Sequence, residues 1–483
     1  MPHAPYHLSL PWPDNRDTPF FKISSRPYSF FLDTSDKQTD RICPSRYSIW
    51  AANPLCILED HGPHTYLNTF DKKKRIRQTL LDFIQKDLKN HSLQDPERES
   101  LPFLGGWIGF LGYEWRAKRD LGLPRPRLRS QRPDALFGLF DTCIIHDHEQ
   151  RRLHLLSWGW TFKERKFNKT LAQQRVDNLQ EALFAKKNLV ASIHPPSPLL
   201  VLPPLSTNFS KEDYIQAVKK IKRYIHAGDC YQVNMSQRWT LPIHQTPVLI
   251  YQKLRQVSPS PYSASLDCGA YQILSSSPEC FLKIDGQEIQ THPIKGTRRR
   301  SLDFLEDEQL KEELWLSEKD QAELLMITDL ERNDLGRVCQ AGTVRVKELR
   351  RIESYAQVHH SVAVIQGLLR DNISHTEALC QSFPGGSITG APKIRAMQII
   401  QELEKDPRHI YTGSIGYFSY HQKSQFNIAI RTLTIEDHRA VFHAGGGIVA
   451  DSDPEEEYEE TLIKARGLQL ALTQHGLSKA SSF

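Results

Sequence analysis

Short runs of alternating apolar and polar residues dominate the chain, and longer stretches with an apolar residue every three or four positions separate them. Strict alternation is typical of β-strands, whereas the longer spacing is typical of amphipathic helices. Runs of strands between separate helices favour an α+β fold with mainly antiparallel sheets. The pattern predicts strands at 28–32, 48–50, 104–110, 135–146, 151–158, 231–241, 271–275, 279–284, 288–292, 412–420, 426–435 and 440–444, and helices at 72–88, 169–186, 211–227, 306–330, 391–404 and 455–474.

Prolines and capping residues mark the predicted boundaries. Consecutive prolines resist both helix and sheet interiors, so the segment 188–207 is predicted to be a linker. A new unit begins with Ser210, a predicted helix N-cap that is followed three residues later by Asp213. The sequence is therefore divided into an N-terminal arm at 1–20, a region at 21–187, the linker at 188–207, a larger unit at 208–475 and a tail at 476–483.

The composition excludes several classes of protein. The 483 residues carry 62 Lys and Arg against 57 Asp and Glu, a net charge of +5, which does not favour binding to a polyanion, and no nucleic-acid recognition motif accompanies the basic runs. No apolar stretch approaches the ~20 residues of a membrane helix, and no export signal opens the chain. The eight cysteines form no C-x-x-C pair. We expect a folded cytoplasmic protein that binds neither nucleic acid nor a membrane.

A lysine is the first candidate for chemistry. Lys295 lies where a predicted strand gives way to a turn, and three arginines follow at 298–300. Neighbouring positive charge and partial burial disfavour the ammonium form, and a neutral lysine is a nucleophile. The alternative is a solvated basic turn, which spacing alone favours.

Two pairs of carboxylates are candidates for a metal site. Asp320 and Glu323 lie three residues apart in one predicted helix, and Glu457 and Glu460 do so in another. This spacing places both members of a pair on one helix face, and oxygen ligands suit Mg²⁺. Solvated acidic helix faces are the alternative, although apolar neighbours turn the first pair inward.

Two glycine-rich segments are candidates for anion binding. The segment 383–393 runs from a glycine-rich loop into a predicted helix, whose first amides can hold an anion. Gly445, Gly446 and Gly447 follow a predicted strand and can offer bare amides to a carboxylate. Tight turns are the alternative for both segments.

Taken together, these segments resemble the chorismate-utilising enzymes. The matching motifs occur in family order at 228–234, 276–279, 291–297, 329–337, 383–393, 413–418, 430–432 and 444–460, with a weaker match at 101–107. The resemblance implies an α+β fold in which helices surround a large antiparallel β-sandwich. It also implies that 208–475 is the chorismate-binding catalytic domain, with the region 21–187 packed on the same core.

The resemblance implies roles for individual residues. Glu279 resembles the family's general acid, although Cys280 replaces the arginine that often follows it. Gln232 stands where relatives that add water have a basic lysine. Asp320 stands where the family usually has glutamate, so we expect it to reach Mg²⁺ only through water. The implied Mg²⁺ ligands are Glu323 and Glu460, with Glu457 and Asp320 close by; the implied substrate contacts are Thr297, His360, Tyr411, Arg431, Gly445, Gly446, Gly447, Lys464 and Gln232.

Lys295 separates the activities within this family. Anthranilate synthases and many isochorismate synthases have a small residue at this position, whereas aminodeoxychorismate synthases have lysine. The resemblance therefore implies that Lys295 adds to C2 of chorismate while Glu279 protonates the departing C4 hydroxyl, and that ammonia then displaces the lysine. The product would be 4-amino-4-deoxychorismate, which leads to p-aminobenzoate and folate. The alternatives are an anthranilate synthase component I and a non-catalytic regulator that binds an amino acid.

The implied reaction requires partners. None of the eight cysteines lies in the Gly-x-Cys-x-Gly elbow of a glutamine amidotransferase. We expect a separate glutaminase subunit, component II, to supply ammonia in trans, and a separate aminodeoxychorismate lyase to act on the product. Anthranilate synthases hold tryptophan with segments similar to two in this chain, and the possible pocket residues are Thr34, Ser45, Arg46, Tyr47, Pro261, Tyr262 and Ser263.

Overall fold

The structure, a computed structural model, describes residues 4–12, 23–35, 46–93, 100–115, 132–185, 206–355 and 358–472. The predicted tail at 476–483, most of the predicted linker at 188–207, and Ser45 of the possible tryptophan pocket lie outside the described residues.

Antiparallel strands form the body of the molecule. The described strands are β1 (Tyr6–Pro11), β2 (Phe30–Asp33), β3 (Tyr47–Ala51), β4 (Cys56–His61), β5 (His64–Asn68), β6 (Lys73–Ile76), β7 (Gly106–Leu111), β8 (Ala135–Phe140), β9 (Thr142–Asp147), β10 (Arg152–Ser157), β11 (Ser206–Thr207), β12 (Gln232–Pro242), β13 (Tyr262–Asp267), β14 (Gln272–Ser277), β15 (Cys280–Asp285), β16 (Glu288–His292), β17 (Ile294–Arg299), β18 (Arg345–Ser354), β19 (Val358–Leu368), β20 (Gly390–Ala391), β21 (Ser414–Ser419), β22 (Lys423–Asn427), β23 (Thr432–Glu436) and β24 (Arg439–Ile448).

Helices surround the strands. Those in the described part of the chain are α1 (Leu80–Asn90), α2 (Lys169–Phe184), α3 (Lys211–His226), α4 (Pro247–Val257), α5 (Phe304–Leu316), α6 (Glu318–Gly336), α7 (His375–Ser382), α8 (Lys393–Leu403) and α9 (Pro454–Leu472).

Over the described residues the strands form two 12-stranded sheets. The first has the order β1-β10-β9-β3-β2-β13-β14-β23-β24-β12-β11, with β20 beside β12, and the second has the order β17-β19-β16-β15-β22-β21-β7-β8-β4-β5-β6, with β18 beside β19. Strand β2 pairs with β13 in the first sheet, and β7 pairs with β21 in the second. The N-terminal region therefore supplies strands to both sheets, and the predicted α+β class with antiparallel sheets is confirmed.

The glycine-spaced strand near 104–110 packs closely against its neighbours. A Cβ atom on Gly109 would lie 2.0 Å from the Leu136 carbonyl oxygen, so only glycine fits this approach. Trp107 on the same strand is fully buried and donates its indole N–H to Asp87 of α1 at 2.8 Å. Burial of such large apolar side chains between the sheets and helices forms the core.

One predicted helix begins later than the apolar spacing indicated. The segment 72–88 was predicted to be helical throughout, but Lys73–Ile76 forms the edge strand β6 against β5, and α1 begins at Leu80. Thr79 caps α1 by accepting a hydrogen bond from the Asp82 amide at 3.1 Å. Pairing with a neighbouring strand outweighs the helical spacing of Ile76, because tertiary context overrides local preference.

Three other predicted elements are divided. The predicted helix 306–330 is two helices, because Ser317 ends α5 and caps α6. The predicted strand 426–435 is the end of β22 and the start of β23, and Arg431 between them has a positive φ of 49°. The predicted strand 135–146 likewise divides into β8 and β9.

A local signal was correct where the chain begins α3, whereas no strand was predicted in the arm at 1–20. The Ser210 hydroxyl accepts from the Asp213 amide at 3.0 Å, as predicted for an N-cap. In the predicted arm at 1–20, Tyr6–Pro11 forms β1 and pairs with β10, so this part of the arm is an edge strand.

Candidate active site

The candidate lysine and the candidate acid meet at one loop. Lys295 lies on β17, and its ammonium donates to the Ser387 carbonyl oxygen at 3.2 Å. The Ser387 hydroxyl donates to Glu279 Oε1 at 2.5 Å. The loop at 385–387 thus brings together two side chains that come from the edge of the second sheet and from the junction between β14 and β15.

Glu279 is placed to hold a proton. Its side chain is buried, and burial raises its pKa to about 7, against the opposing effects of the Ser387 hydrogen bond and the Lys295 charge. A carboxyl group with such a pKa is substantially protonated near neutral pH and can act as a general acid.

The backbone of β17 adapts to this arrangement at Gly296. The pairing of β17 with β19 is irregular between Ile294 and Thr297, and Gly296 there has a φ of 81°. A Cβ on Gly296 would lie 2.9 Å from the carboxyl carbon of Asp320, so glycine lets α6 approach the strand.

Thr297 and His360 lie together, as the resemblance implied. The Thr297 hydroxyl and His360 Nδ1 are 2.9 Å apart. Burial, together with Arg431, lowers the pKa of His360 to about 3, so the ring is neutral at physiological pH. Its buried Nε2 has no hydrogen-bond partner within the described part of the chain. The adjacent His359 points to the other face of β19 and contacts Asp307, as alternation on a strand requires.

The triple glycine lies inside a strand and not after one. Gly445, Gly446 and Gly447 belong to β24 and pair with β12, so the prediction that they follow a strand was wrong, while the binding of a carboxylate by their amides stays a prediction. A Cβ on Gly445 would lie 2.1 Å from the Met235 carbonyl oxygen, and one on Gly447 would lie 2.2 Å from Gln232 Nε2. The glycines permit close approach of buried groups, since Gln232 is fully buried and neither of its amide atoms has a hydrogen-bond partner among the described residues.

Helix α9 brings the candidate carboxylates Glu457 and Glu460 to the same glycine strand. A Cβ on Gly446 would lie 2.9 Å from Glu457 Oε2 and 3.3 Å from Glu460 Oε1, so both oxygens face Gly446. Lys464 pairs with Glu460 and also donates to the Gly445 carbonyl oxygen at 3.0 Å. Burial raises the pKa of Glu457 to about 7, and the Glu460 charge adds to the rise.

The carboxylates of α6 lie within electrostatic range of this group. Burial raises the pKa of Glu323, with Asp320 and Glu460 adding to the rise against the effect of Lys295 and Lys319. Asp320 accepts a hydrogen bond from the Arg298 guanidinium at 3.1 Å. The helices α6 and α9 therefore present their acidic faces to one region.

A divalent cation fits this region chemically. Glu457 Oε2 is buried and has no hydrogen-bond partner among the described residues, and burial, with a smaller effect of neighbouring carboxylates, raises the pKa of both Glu457 and Glu323. A bound cation would give Glu457 Oε2 a partner and would offset the cost of holding several carboxylates close together. Among the described residues, no three His, Cys, Asp or Glu side chains already converge as a metal centre.

The remaining predicted substrate contacts differ in exposure: Tyr411 is buried, Arg431 is partly buried and Lys464 is exposed. The Tyr411 ring stacks on His443 with centroids 5.1 Å apart, and the Arg408 guanidinium lies 5.7 Å from the Tyr411 ring centre. After burial, the charges of Arg431 and Lys464 are among the effects that lower the pKa of His360, so both cations act on this ring electrostatically.

A separate cavity contains most of the possible tryptophan pocket. It measures about 530 Å³ including its opening to solvent, and Arg46, Tyr47, Pro261, Tyr262 and Ser263 line it. Thr34 is buried nearby and is not among the described lining residues; its amide donates to Ser48 Oγ at 3.1 Å. Whether this cavity takes tryptophan stays a prediction.

Several residues of the site were not singled out from the sequence. Ser387 joins Lys295 to Glu279, and its position inside a glycine-rich segment was the only local signal. Lys319 acts on Glu323, Glu457 and Glu460. Glu323 lies four residues after Lys319 on the same helix, which is a local signal, whereas Glu457 and Glu460 come from α9 and nothing in the sequence near Lys319 indicates them.

The sequence was then compared with known proteins. Residues 28–469 match the model of the chorismate binding enzyme family. The chain belongs to this family. Chorismate binding enzymes similar to it include aminodeoxychorismate synthase component 1 of Klebsiella aerogenes, 36% identical over 95% of this chain and 97% of the relative, and anthranilate synthase component 1 of Bacillus subtilis (strain 168), 35% identical over 92% and 87%.

A solved structure of the family supports the fold. Anthranilate synthase component I from Streptococcus pneumoniae TIGR4 has a TM-score of 0.74 and 30% identity, over 88% of this chain and 92% of that one. The protein is therefore an enzyme with the chorismate binding fold, and the implied family and architecture are confirmed. None of the described helices combines the length and apolar character needed to cross a membrane.

Proposed function

We propose that this chorismate binding enzyme is the synthetase subunit of an aminodeoxychorismate synthase. The observation that carries the proposal is the contact of Lys295 with Ser387, which in turn holds Glu279. Overall similarity does not separate this activity from anthranilate synthesis, since relatives named for either are 35–39% identical to the chain. A lysine beside the proposed general acid supports the first activity, because it can form the covalent adduct of that route.

The proposed chemistry consists of two allylic displacements. The Lys295 amine forms a bond to C2 of chorismate while the two ring double bonds shift and the C4 hydroxyl leaves as water with the proton of Glu279. The amine of the adduct loses its extra proton. Ammonia then forms a bond to C4 and becomes the ammonium of the product, and the double bonds shift back. The C2–nitrogen bond breaks while the departing lysine nitrogen takes back from Glu279 the proton that the adduct had lost to it. The net result is the replacement of the C4 hydroxyl by an amino group with retention of the enolpyruvyl ether.

Other residues of the chain hold the substrate in this proposal. The neutral His360 ring and Gln232 offer buried polar atoms that have no partner within the described residues. Arg431 and Lys464 supply positive charge for the two carboxylates of chorismate. Unpaired buried polar groups are costly, so a polar ligand at this place would repay that cost.

We propose Mg²⁺ as the metal of the site, held by Glu323 and Glu460 with Glu457 and Asp320 close by. When bound, the ion would neutralise a substrate carboxylate and the surrounding glutamates. The buried, unpartnered Glu457 Oε2 supports this assignment. Asp320 is shorter than glutamate and is engaged by Arg298, which supports contact through water.

We also propose that ammonia comes from a separate glutaminase subunit. Relatives named component 1 support a partner, and the sequence contains no amidotransferase elbow. A separate lyase would convert the product to p-aminobenzoate for folate synthesis. We propose that these steps take place in the cytoplasm.

A product assay tests the function. Purified protein is incubated with chorismate, MgCl₂ and an ammonium salt, and the products are separated before and after addition of an aminodeoxychorismate lyase. We expect a product that gives p-aminobenzoate only with the lyase. Direct formation of fluorescent anthranilate would instead establish the alternative synthase, and release of glutamate from glutamine by this chain alone would contradict the separate glutaminase.

A lysine variant tests the covalent step. Lys295→Ala is expected to lose at least about 100-fold in kcat with ammonium, because the adduct cannot form, whereas Lys405→Ala, which removes a half-exposed lysine paired with Asp213, keeps the nucleophile and serves as the matched control. Mass spectrometry of wild-type protein quenched with chorismate is expected to show an adduct on the Lys295 peptide. Wild-type turnover by Lys295→Ala would contradict the route.

A further inference from the structure

A second buried carboxyl group lies behind the general acid. Glu331 is on α6 in the segment 329–337, one of the motifs of the sequence to which the proposed reaction gives no task. Its side chain is buried, and the Thr291 hydroxyl donates to its Oε2 at 2.6 Å. Thr291 is the residue before the last in β16, close to β17, which carries Lys295.

Strand register brings this group close to Glu279. Cys280, the residue after Glu279, pairs with His292, the residue after Thr291. The hydrogen-bond partner of Glu331 and the general acid therefore lie at the same end of two adjacent strands. Electrostatic coupling between the two carboxyl groups is consistent with this placement.

The loop that holds Glu279 packs directly against Glu331. A Cβ on Gly386 would lie 2.8 Å from Leu330 and 3.6 Å from the Glu331 side chain. The next residue, Ser387, donates to Glu279 and accepts from Lys295. One short loop is thus in contact with Glu331 on one side and with both reacting side chains on the other.

Among the described residues, Glu331 forms no salt bridge. The charge of Lys393 acts on it, but Lys393 pairs with Asp334 at 2.6 Å and donates to the Ser382 carbonyl oxygen. Burial raises the pKa of Glu331 to about 8, and the charges of Glu279 and Asp334 add to the rise. The groups that face it are Thr291 of β16, Glu279 and Cys280 at the start of β15, Asp334 of its own helix and Lys393 of α8.

We propose that Glu331 is a positioning residue for the proposed reaction, a neutral carboxylic acid that supports the 385–387 loop and whose ionisation sets a second alkaline limit on turnover. The inference rests on the proposed function. Two interacting carboxyl groups release their protons in two macroscopic steps. If the active form needs the protons of both Glu279 and Glu331, kcat/KM falls in proportion to the proton concentration once one group has ionised. It falls with the square of the proton concentration once both have ionised.

Glu331→Gln tests this. Glutamine has the shape of the neutral acid and keeps an acceptor for Thr291, but it cannot ionise. With ammonium and chorismate, wild-type log kcat/KM is expected to reach a slope of about −2 above about pH 8, whereas Glu331→Gln is expected to stay at about −1 and to keep activity within about threefold of wild type near pH 6. Ionisation of ammonium affects both profiles equally.

Thr291→Val is the matched variant for the hydrogen bond. The Thr291 hydroxyl lowers the pKa of Glu331, so its removal is expected to move the second break in the profile to higher pH while the slope of about −2 remains. A loss of about 100-fold or more at every pH in Glu331→Gln, or an unchanged slope of about −2 in that variant, overturns the proposal.

An infrared measurement does not depend on turnover. The difference between the infrared spectra of wild-type protein and Glu331→Gln is expected to show the carbonyl stretch of a protonated carboxylic acid near neutral pH. This band should disappear on titration above about pH 8. A carboxylate band at neutral pH overturns the proposal. If Glu331→Gln does not fold, wild-type titration against Thr291→Val gives the same readout. Absence of any aminodeoxychorismate from wild-type protein would instead refute the proposed function.

Discussion

At the scale of single residues, the site depends on glycines, because a Cβ at these positions would collide with neighbouring polar side chains. Gly446 faces two carboxylate oxygens, and Gly447 faces the buried amide of Gln232. These glycines are inside a strand, where glycine weakens the ladder, so their presence indicates close approach and not a turn. The carboxylates of α9 can lie against the strand only because no side chain intervenes.

Gly446→Ala tests this close approach. The added methyl group would lie 2.9 Å from Glu457 Oε2, which forces the carboxylates of α9 to move. We expect Mg²⁺ affinity, measured by calorimetry without substrate, to fall at least about tenfold, as is usual when the support of a metal ligand is disturbed.

Gly467→Ala is the control for that experiment. Its added methyl group would lie on α9, where the nearest neighbour is Ser258 at 3.6 Å, an ordinary contact. Mg²⁺ affinity is expected to stay at the wild-type value. Equal affinities in wild type and Gly446→Ala would show that the carboxylates of α9 do not hold the ion.

At the scale of elements, the start of α6 links helix stability to the site. Ser317 ends α5 and caps α6, and its hydroxyl accepts from the Asp320 amide at 3.3 Å. Asp320 and Glu323 therefore lie on the first turns of a helix that begins at a single capping residue. When these first turns are ordered, they hold the carboxylates of Asp320 and Glu323 in position.

Ser317→Ala is expected to cost about 1 kcal/mol in the free energy of unfolding, as is typical for loss of an N-cap. The Mg²⁺ concentration for half-maximal activity should rise by up to about fivefold, the factor that corresponds to about 1 kcal/mol. Ser374→Ala removes the equivalent cap of α7, where the hydroxyl accepts from the Glu377 amide at 3.2 Å. That variant should lose similar stability in urea without a change in Mg²⁺ requirement, and identical requirements for both variants would contradict the link.

Local signals allowed some of these elements to be predicted, and long-range contacts decided the others. Ser210 was predicted as a cap because the interaction spans three residues. The break at Ser317 was missed, because helix-forming residues lie on both sides of it. Lys295 and Glu279 could be identified by motif, but their connection through Ser387 requires a segment about 90 residues away to approach them. The role of Glu331 is equally non-local, since Thr291 and Gly386 come from different parts of the chain.

At the scale of the whole molecule, buried ion pairs join the N-terminal region to the rest. Asp33 at the end of β2 is buried and accepts from Arg255 Nε at 2.6 Å and from the Tyr251 hydroxyl at 3.2 Å, both on α4. It also accepts from Ser48 at 3.0 Å. One carboxylate thus connects strands and a helix that are more than 200 residues apart.

Asp33→Asn removes the charge while keeping the shape. It is expected to cost about 3 kcal/mol in the free energy of unfolding, because the ion pair with Arg255 loses its buried negative member. Urea denaturation measures the loss. Glu308→Gln, which breaks the exposed pair with Lys311, is the control and should cost less than about 1 kcal/mol. Equal costs for the two variants would contradict the structural role of Asp33.

The pairing of β7 with β21 has a consequence during synthesis. Strand β7 ends at Leu111, and its partner begins at Ser414, about 300 residues later. At about 5–20 residues per second, a ribosome needs about 15–60 s to make that interval. Throughout this time the nascent chain carries an apolar strand with one open edge, and such an edge can pair with another chain. Newly made protein should therefore depend on chaperones until nearly all of it has left the ribosome.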